Sequence, residues 1–187
     1  NLNYYKSDNV YKDTAERLAS GKIIAWFQGR AEFGPRALGN RSILTKPYPA
    51  EMKDYLNKRV KFREKFRPFA PAVLKEHAND YFNIEQESPH MLMAVKAKND
   101  MKEKIAATVH SDGTSRVQTV GKENNLHFWK LLNAFYDKTK IPVILNTSFN
   151  VKGQPIVNNP KEAIETFLST NIDSLIIGSI VVDKKKN

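Results

Sequence analysis

The spacing of apolar residues along the chain predicts an alternation of strands and helices. Apolar runs bounded by glycine or polar residues predict buried strands at 22–28 and 141–146, and a terminal strand or strand pair at 174–182. The clearest helix spans 127–140, because its aromatic and leucine side chains recur at helical spacing. Strands and helices interleave throughout, which favours a mixed α/β fold around one sheet.

Weaker patterns complete the predicted order of elements. Four more helices are predicted from helical spacing and capping residues: 13–20, 50–60, 75–82 and 160–170. The first of these takes Asp13 or Thr14 as its N-cap and stops at Gly21. Further strands are predicted at 41–45, at 91–96, after the Asp112–Gly113 turn, and at 67–74. Two prolines in 67–74 predict an edge or irregular strand there. With no repeat or linker, we expect one α/β domain over residues 1–187, with helices flanking a mixed twisted sheet.

Composition narrows the class of protein. The 187 residues include 41% hydrophobic residues, enough for a core, and no apolar run long enough to cross a bilayer. Because no charged-then-apolar leader opens the chain, we expect a cytoplasmic protein without membrane attachment. No cysteine is present, which excludes disulfides, thiolate metal sites and a cysteine nucleophile.

The net charge of +10 favours anionic partners. These include phosphorylated small molecules, nucleotides, nucleic acid and an acidic neighbouring domain. A basic surface that serves only solubility explains the same number. The positions of the cations in the sequence therefore have to distinguish an anion-binding protein from one whose basic surface serves only solubility.

Residues 29–42, GRAEFGPRALGNRS, combine glycines with arginines. Gly29 and Gly34 permit backbone angles closed to other residues and let a ligand approach the main chain. The segment also carries three planar guanidinium groups suited to phosphate or carboxylate oxygens. They belong to Arg30, Arg36 and Arg41. The alternative is a tight turn whose arginines pair with Glu32.

Residues 58–71, KRVKFREKFRPFAP, are dense in cations separated by phenylalanines. Such a segment can track a nucleic-acid backbone and stack on its bases. It can equally be a strand whose aromatic side chains point inward while its cations line one site. A plain solvated face is the third reading.

Two further segments place polar side chains at sheet positions. After the Asp112–Gly113 turn, Thr114, Arg116 and Gln118 alternate toward one face, which is either solvent or a cleft. Residues 145–150, LNTSFN, end a buried strand with hydrogen-bonding groups, at the sheet edge where α/β proteins usually bind ligands. Simple Asx-turn chemistry is the alternative for these asparagines.

Several familiar sites are missing from the sequence. No GxxxxGK[ST], GxGxxG, GxSxG or HExxH motif occurs. His110 and Asp112 suggest a metal pair, but the other histidines show no ligand spacing, so we expect no metal ligands in this chain.

Taken in order, six segments resemble the C-terminal domain of the nodulation-type O-carbamoyltransferase family, which includes enzymes acting on tobramycin and cephalosporins. The matching stretches are GRAEFGPRALGNRSIL, KFREKFRPFAPAVL, SPHM, DGTSRVQTV, PVILNTSFN and GQPIV. They span 29–157, about two-thirds of the chain, and EAIETFLSTNIDSLIIG fits the family's end. His90, Ser111 and Gln154 stand where tyrosine, valine and glutamate are common. None of these departures touches a residue assigned to the site.

The resemblance implies a YrdC-like domain that joins carbamoyl phosphate and ATP into carbamoyl-adenylate with loss of pyrophosphate. Magnesium accompanies the ATP, held mainly by phosphates and water. It also implies an N-terminal, actin-like ATPase-type domain that carries the metal and passes the carbamoyl group to an acceptor hydroxyl. That domain is absent from this sequence, which opens without methionine. We therefore expect an excised C-terminal domain that forms the adenylate but does not finish the transfer.

The resemblance also implies the site residues. Lys61, Arg63 and Arg67 resemble the lysine–arginine signature of YrdC-like domains, and the asparagines and serine of LNTSFN resemble the serine–asparagine signature. The residues expected to be catalytic are Lys61, Arg67, Arg116 and Ser148. Those expected to bind ATP or carbamoyl phosphate are Arg36, Arg63, Asn146 and Asn150, with Arg30 and Arg41 as second-tier candidates. Charge neutralisation and positioning carry this chemistry, so no covalent nucleophile is expected.

Two alternatives stay open. A threonylcarbamoyl-adenylate synthase uses threonine and bicarbonate, but EFGPRALGNRS belongs to the carbamoyltransferases and favours the first reading. An RNA-binding module built on KRVKFREKFR predicts binding that weakens steeply with salt. Nucleic acid is the less favoured partner.

Overall fold

One large β-sheet organises the fold. A computed structural model describes residues 2–62, 64 and 67–184, and the strands within them are β1 (Leu2–Lys6), β2 (Ile24–Phe27), β3 (Arg41–Thr45), β4 (Ala70–Leu74), β5 (Met93–Lys96), β6 (Thr114–Val120), β7 (Val143–Ser148), β8 (Ser174–Ile177) and β9 (Ile180–Lys184). Their order is β1–β9–β8–β2–β3–β7–β4–β6–β5. The pairs β2–β8 and β4–β6 are parallel and the other neighbours antiparallel. The predicted mixed α/β fold is confirmed.

Five α-helices lie in the described residues. They are α1 (Val10–Ala19), α2 (Met52–Leu56), α3 (Ala78–Tyr81), α4 (Leu126–Thr139) and α5 (Pro160–Ser169). A π-helical turn, Asn57–Lys61, continues α2, and 3-10 turns span Lys75–His77, Asn99–Met101 and Glu103–Thr108. No helix in this part of the chain is long and apolar enough to span a bilayer.

Helices cover both faces of the sheet. On one face α1 and α4 pack against buried side chains that include Trp26, Leu44 and Ile144. On the other face α2 and α5 contribute Leu56 and Phe167 to a core built on alternate residues of the same strands. Alternation along each strand thus gives both faces an apolar layer, as expected for a sheet buried on both sides.

Asparagine side chains set the start of the longer helices. Asn9, Asn125 and Asn159 each accept a hydrogen bond from a main-chain N–H in the first turn of α1, α4 and α5. The predicted N-cap of the first helix at Asp13 or Thr14 is therefore wrong, because Asn9 caps it and the helix begins at Val10. The predicted stop is confirmed, since Gly21 follows the helix end with a φ of +86°.

β4 lies inside the sheet, which corrects the prediction of an edge or irregular strand for 67–74. Its Pro71 pairs with Leu145 of β7, while pairing with β6 begins one residue later, at Ala72. The Leu74 N–H donates to Pro142 on the β7 side. Because N–H directions alternate along a strand, the Pro71 nitrogen faces β6 before that ladder starts. The missing N–H of the proline therefore removes no ladder bond.

Candidate functional site

A cavity of about 90 Å3 lies where β6 and β7 meet the loop of residues 29–40. Four predicted site residues line this cavity: Arg36 from the loop, Arg116 from β6, and Asn146 and Ser148 from β7. β4 runs between β6 and β7, and its small Ala70 lies beside Asn146 and also lines the cavity. Segments far apart in the sequence therefore meet at one place.

The electrostatics of the cavity favour an anion. Burial lowers the pKa of Arg116, and the positive charge of Arg36 lowers it further. The Nε of Arg116 is buried and has no hydrogen-bond partner among the described residues. An anion beside the two guanidinium groups reduces their repulsion and accepts a hydrogen bond from the Arg116 Nε–H.

Lys61 connects the π-helical turn to the end of β7. The residue is only 4% exposed. Its ammonium group donates to the carbonyl oxygens of Ser148 at 2.6 Å and Asn150 at 3.0 Å, and to Asn150 Oδ1 at 2.9 Å. The Ser148 hydroxyl donates to the same Oδ1 at 2.7 Å. This network fixes the turn that follows β7 and places a positive charge beside Ser148.

Glu32 holds the loop of residues 29–40 in shape. Its Oε1 accepts hydrogen bonds from the main-chain N–H groups of Leu38 at 2.7 Å, Asn40 at 2.7 Å and Arg41 at 3.1 Å. The sequence suggested that Glu32 organises this turn by pairing with arginines. The carboxylate organises it instead through the main chain, while its charge is also felt by Arg41.

Gly39 seats the same loop against α4. Its φ is +105°, and a Cβ built there lies 2.3 Å from Cδ1 of Phe128. Gly34 has a φ of +116° with no atom within 4 Å of such a Cβ. Glycine is therefore required at this position only for its backbone conformation.

Replacing Gly39 by alanine is expected to lower the free energy of unfolding by about 2 kcal/mol more than replacing Gly34, because only the first change overpacks the core. Both variants carry the backbone cost of a left-handed alanine, which is about 1–2 kcal/mol. Urea denaturation followed by circular dichroism measures the difference. Equal losses in the two variants contradict the packing role of Gly39.

Arg41 is occupied by the main chain and lies away from solvent. The residue is 4% exposed, and its guanidinium carbon stacks 3.5 Å from the centre of the Phe27 ring. The guanidinium donates to four carbonyl oxygens, those of Gln28, Gly29, Asn40 and Asn158. Arg41 therefore stabilises the loop of residues 29–40 through hydrogen bonds to its main chain.

The remaining predicted cations lie at the surface or outside the described residues. Arg30 is exposed, as is Arg67, whose Nε pairs with Glu64 Oε2 at 3.1 Å. Arg67 does not line the cavity, although the next residue, Pro68, does. Arg63 lies outside the described residues. The structure thus gathers Arg36, Arg116, Asn146 and Ser148, joins Lys61 and Asn150 to Ser148, and leaves Arg30 and Arg67 on the outside.

Gln118 is a residue that sequence reasoning placed on the correct face but did not assign to the site. Its Nε2 donates to the Leu38 carbonyl at 2.9 Å, and its Oε1 accepts from Asn146 Nδ2 at 2.9 Å. The signal was the two-residue spacing from Arg116, which puts both side chains on one face of β6.

Two other features of the described residues do not compete with this cavity. A groove of about 640 Å3 is lined by α1 and α4, but it holds Glu16 and Asp137 as well as lysines, so it presents mixed charge. No cluster of three or more His, Asp or Glu side chains gathers in residues 2–62, 64 and 67–184 in a way that could hold a metal ion. His110 Nδ1 instead contacts Thr114 Oγ1 at 3.0 Å.

The sheet topology defines a class, an α/β domain of YrdC-like fold, and this domain carries the cationic cavity lined by Arg36 and Arg116. Full-length HypF in its phosphate- and nucleotide-bound form shares this fold, with a TM-score of 0.60 and 21% identity over 94% of this chain and 24% of HypF. Sua5 of P. abyssi complexed with L-threonine gives a TM-score of 0.61 and 14% identity, over 90% of this chain and 46% of Sua5.

Residues 15–184 match the family described as Carbamoyltransferase C-terminus, and the chain belongs to this family. The nodulation protein NolNO of Sinorhizobium fredii is 46% identical, over 96% of this chain and 27% of NolNO. The 3'-hydroxymethylcephem-O-carbamoyltransferase of Amycolatopsis lactamdurans is 37% identical, over 86% of this chain and 30% of that enzyme. The chain thus spans less than a third of the length of these two relatives.

Proposed function

We propose that this domain forms carbamoyl-adenylate from carbamoyl phosphate and ATP. The observation that carries the proposal is the convergence of Arg36 and Arg116 on a cavity that Ser148 also lines. Family membership supports the carbamoyl group, and the fold shared with a nucleotide-bound HypF supports the nucleotide.

The overall reaction requires one water molecule. Water cleaves carbamoyl phosphate to carbamate and inorganic phosphate. A carbamate oxygen then attacks the α-phosphorus of ATP, a new P–O bond forms, and the bond to the β-phosphate breaks to release pyrophosphate. Both steps gather negative oxygens in one place, so fixed cations and hydrogen-bond donors stabilise their transition states.

The geometry suggests a role for each group. Arg36 and Arg116 bind the phosphate and carbamate oxygens, while Ser148 donates or accepts a hydrogen bond beside them. Lys61 positions Ser148 and Asn150 and places a positive charge next to the Ser148 side chain. Arg67, exposed and one residue before Pro68 of the cavity lining, is proposed to bind the outer phosphates of ATP. Magnesium is proposed as the ion that accompanies the ATP, held mainly by phosphate oxygens and water.

The relatives are longer, and one is named as an O-carbamoyltransferase. We therefore propose that a further, N-terminal domain of the same protein receives the adenylate. That domain passes the carbamoyl group to an acceptor hydroxyl.

Pyrophosphate release from ATP tests the proposal directly. The chain is expected to release pyrophosphate only when carbamoyl phosphate is present, and Ser148→Ala or Arg116→Ala is expected to lower the rate about a hundredfold. Lys138→Ala, a cation removed from the α1–α4 groove, controls for net charge. Release without carbamoyl phosphate, or unchanged rates in both site variants, contradicts the proposal.

The same assay separates the alternatives. A threonylcarbamoyl-adenylate synthase, suggested by the Sua5 complex with L-threonine, releases pyrophosphate with threonine and bicarbonate instead. An RNA-binding module shows no release and binds RNA with steep salt dependence. For RNA, the phenylalanines of 58–71 give mixed support: Phe62 is 55% exposed, but Phe69 is 2% exposed and lines the cavity. Phe66 lies outside the described residues.

A further inference from the structure

We propose that the cavity selects the amide end of the carbamoyl group, with Asn146 as the specificity-determining residue and Gln118 as the positioning residue that sets its orientation. This inference rests on the proposed function, because it assumes that a small carbonyl compound enters the cavity. It adds the chemical feature by which that compound is recognised.

The Asn146 side chain has one atom left over for a ligand. The residue is 1% exposed, and its Nδ2 donates to the Ala37 carbonyl at 3.1 Å and to Gln118 Oε1 at 2.9 Å. These two bonds use both amide protons. Its Oδ1 is buried and has no hydrogen-bond partner among the described residues. A buried acceptor left unpaired is costly, so a donor is expected to fill it.

The orientation of this amide is fixed by two main-chain carbonyls. The Ala37 oxygen only accepts, so it must face Nδ2 of Asn146. The Leu38 oxygen likewise must face Nε2 of Gln118, which turns Oε1 of Gln118 toward Asn146. A flipped Asn146 amide places its oxygen against two other oxygens. The network therefore keeps Oδ1 as the atom available to a ligand.

Arg116 supplies the complementary group. Its Nε is a buried donor without a partner in the described part of the chain, and Arg116 lines the same cavity as Asn146. One acceptor and one donor match the N–H and the oxygen of an O=C–NH2 group. The cavity is small, at about 90 Å3, so it fits a small group of this kind.

An acetyl group is the informative competitor. It has nearly the same shape, but a methyl group replaces the amide nitrogen and leaves Asn146 Oδ1 unpaired. A site built to hydrogen-bond a ligand group discriminates strongly against an analogue that lacks it. We therefore expect the cavity to prefer carbamoyl phosphate to acetyl phosphate by at least about tenfold, which is the effect of one lost buried hydrogen bond.

Calorimetric binding of carbamoyl phosphate and acetyl phosphate to the 187-residue chain measures this preference. Asn146→Leu removes the acceptor at nearly constant volume, and we expect the preference to fall below about threefold. Gln118→Met keeps Asn146 but removes one of the two acceptors that hold its Nδ2, so only the Ala37 carbonyl opposes a flip of the amide and a partial loss is expected. Asn133→Leu makes the same change in the α1–α4 groove and is expected to keep the wild-type preference. Ser148→Ala is expected to weaken both ligands alike, because the hydroxyl does not distinguish nitrogen from methyl.

The outcomes separate this inference from the proposed function. Equal affinities in the wild-type chain, or a full preference retained in Asn146→Leu, overturn the inference even if carbamoyl phosphate still supports pyrophosphate release. Failure of pyrophosphate release overturns the proposed function, while a tenfold binding preference that depends on Asn146 still supports the inference. If Asn146→Leu fails to fold by circular dichroism, Gln118→Met decides, and an unchanged preference there overturns the inference.

Discussion

Lys61→Met is expected to lower the rate of pyrophosphate release with carbamoyl phosphate and ATP by about a thousandfold. Methionine keeps most of the length of the side chain but removes three donors and the positive charge. The carbonyl oxygens of Ser148 and Asn150 then lose their shared donor, and the Ser148 hydroxyl loses the charge beside it. Both effects act on the same turn, so the loss exceeds that expected from removing one contact.

Lys58→Met provides the matched control for this prediction. Lys58 belongs to the same π-helical turn but is exposed, so the same substitution removes an equal charge without reaching the end of β7. Its rate is expected to stay within about twofold of the wild type, as is usual for exposed positions away from a site. A rate for Lys61→Met within tenfold of the control shows that the network is dispensable. Circular dichroism of the variant separates a lost rate from a lost fold.

Arg41→Leu is expected to lower the free energy of unfolding by about 3 kcal/mol, because it strips a buried cation from four main-chain carbonyl oxygens. The leucine side chain packs near Phe27 but has no N–H group to donate to those carbonyl oxygens. Since the carbonyls belong to both ends of the loop and to Asn158, the loop loses its attachment to the sheet. Thermal and urea denaturation measure the change.

Arg30→Leu is the comparison for Arg41, because it removes an exposed guanidinium from the same loop. Its effect on stability is expected to stay within about 0.5 kcal/mol. The two arginines were equal candidates by sequence, and this pair of variants distinguishes a structural role from a binding role. Similar stabilities for the two variants are incompatible with the buried network around Arg41.

The longer elements of the fold were predictable because their signals are local. Helix α4 follows from apolar spacing within its own fourteen residues, and β7 and the β8–β9 pair from apolar runs. β4 was misjudged because the cost of Pro71 depends on where pairing with β6 begins, and a single segment carries no information on its neighbours' register. β1 was missed because its side chains are mostly exposed and show no apolar alternation.

The site was partly predictable for the same reason. Arginine beside glycine in residues 29–42 predicted a cationic loop at the site, and strand alternation correctly placed Arg116 and Gln118 on one face. Local sequence could not separate Arg36, which lines the cavity, from Arg41, which lies under the loop, because burial is decided by residues such as Asn158 far along the chain. The network from Leu38 through Gln118 to Asn146 joins three segments and is visible only in three dimensions.

The carboxylate of Glu32 already fills the amides of Leu38, Asn40 and Arg41. Under the proposed function these three amides are not free to bind phosphate, so Arg36 and Arg116 supply the contacts, whereas loops of the P-loop kind wrap their anion in free backbone N–H groups. The entropy of ordering such a loop is then spent during folding rather than at the moment of capture. The loop of residues 29–40 is therefore expected to keep one conformation whether or not the cavity holds a ligand.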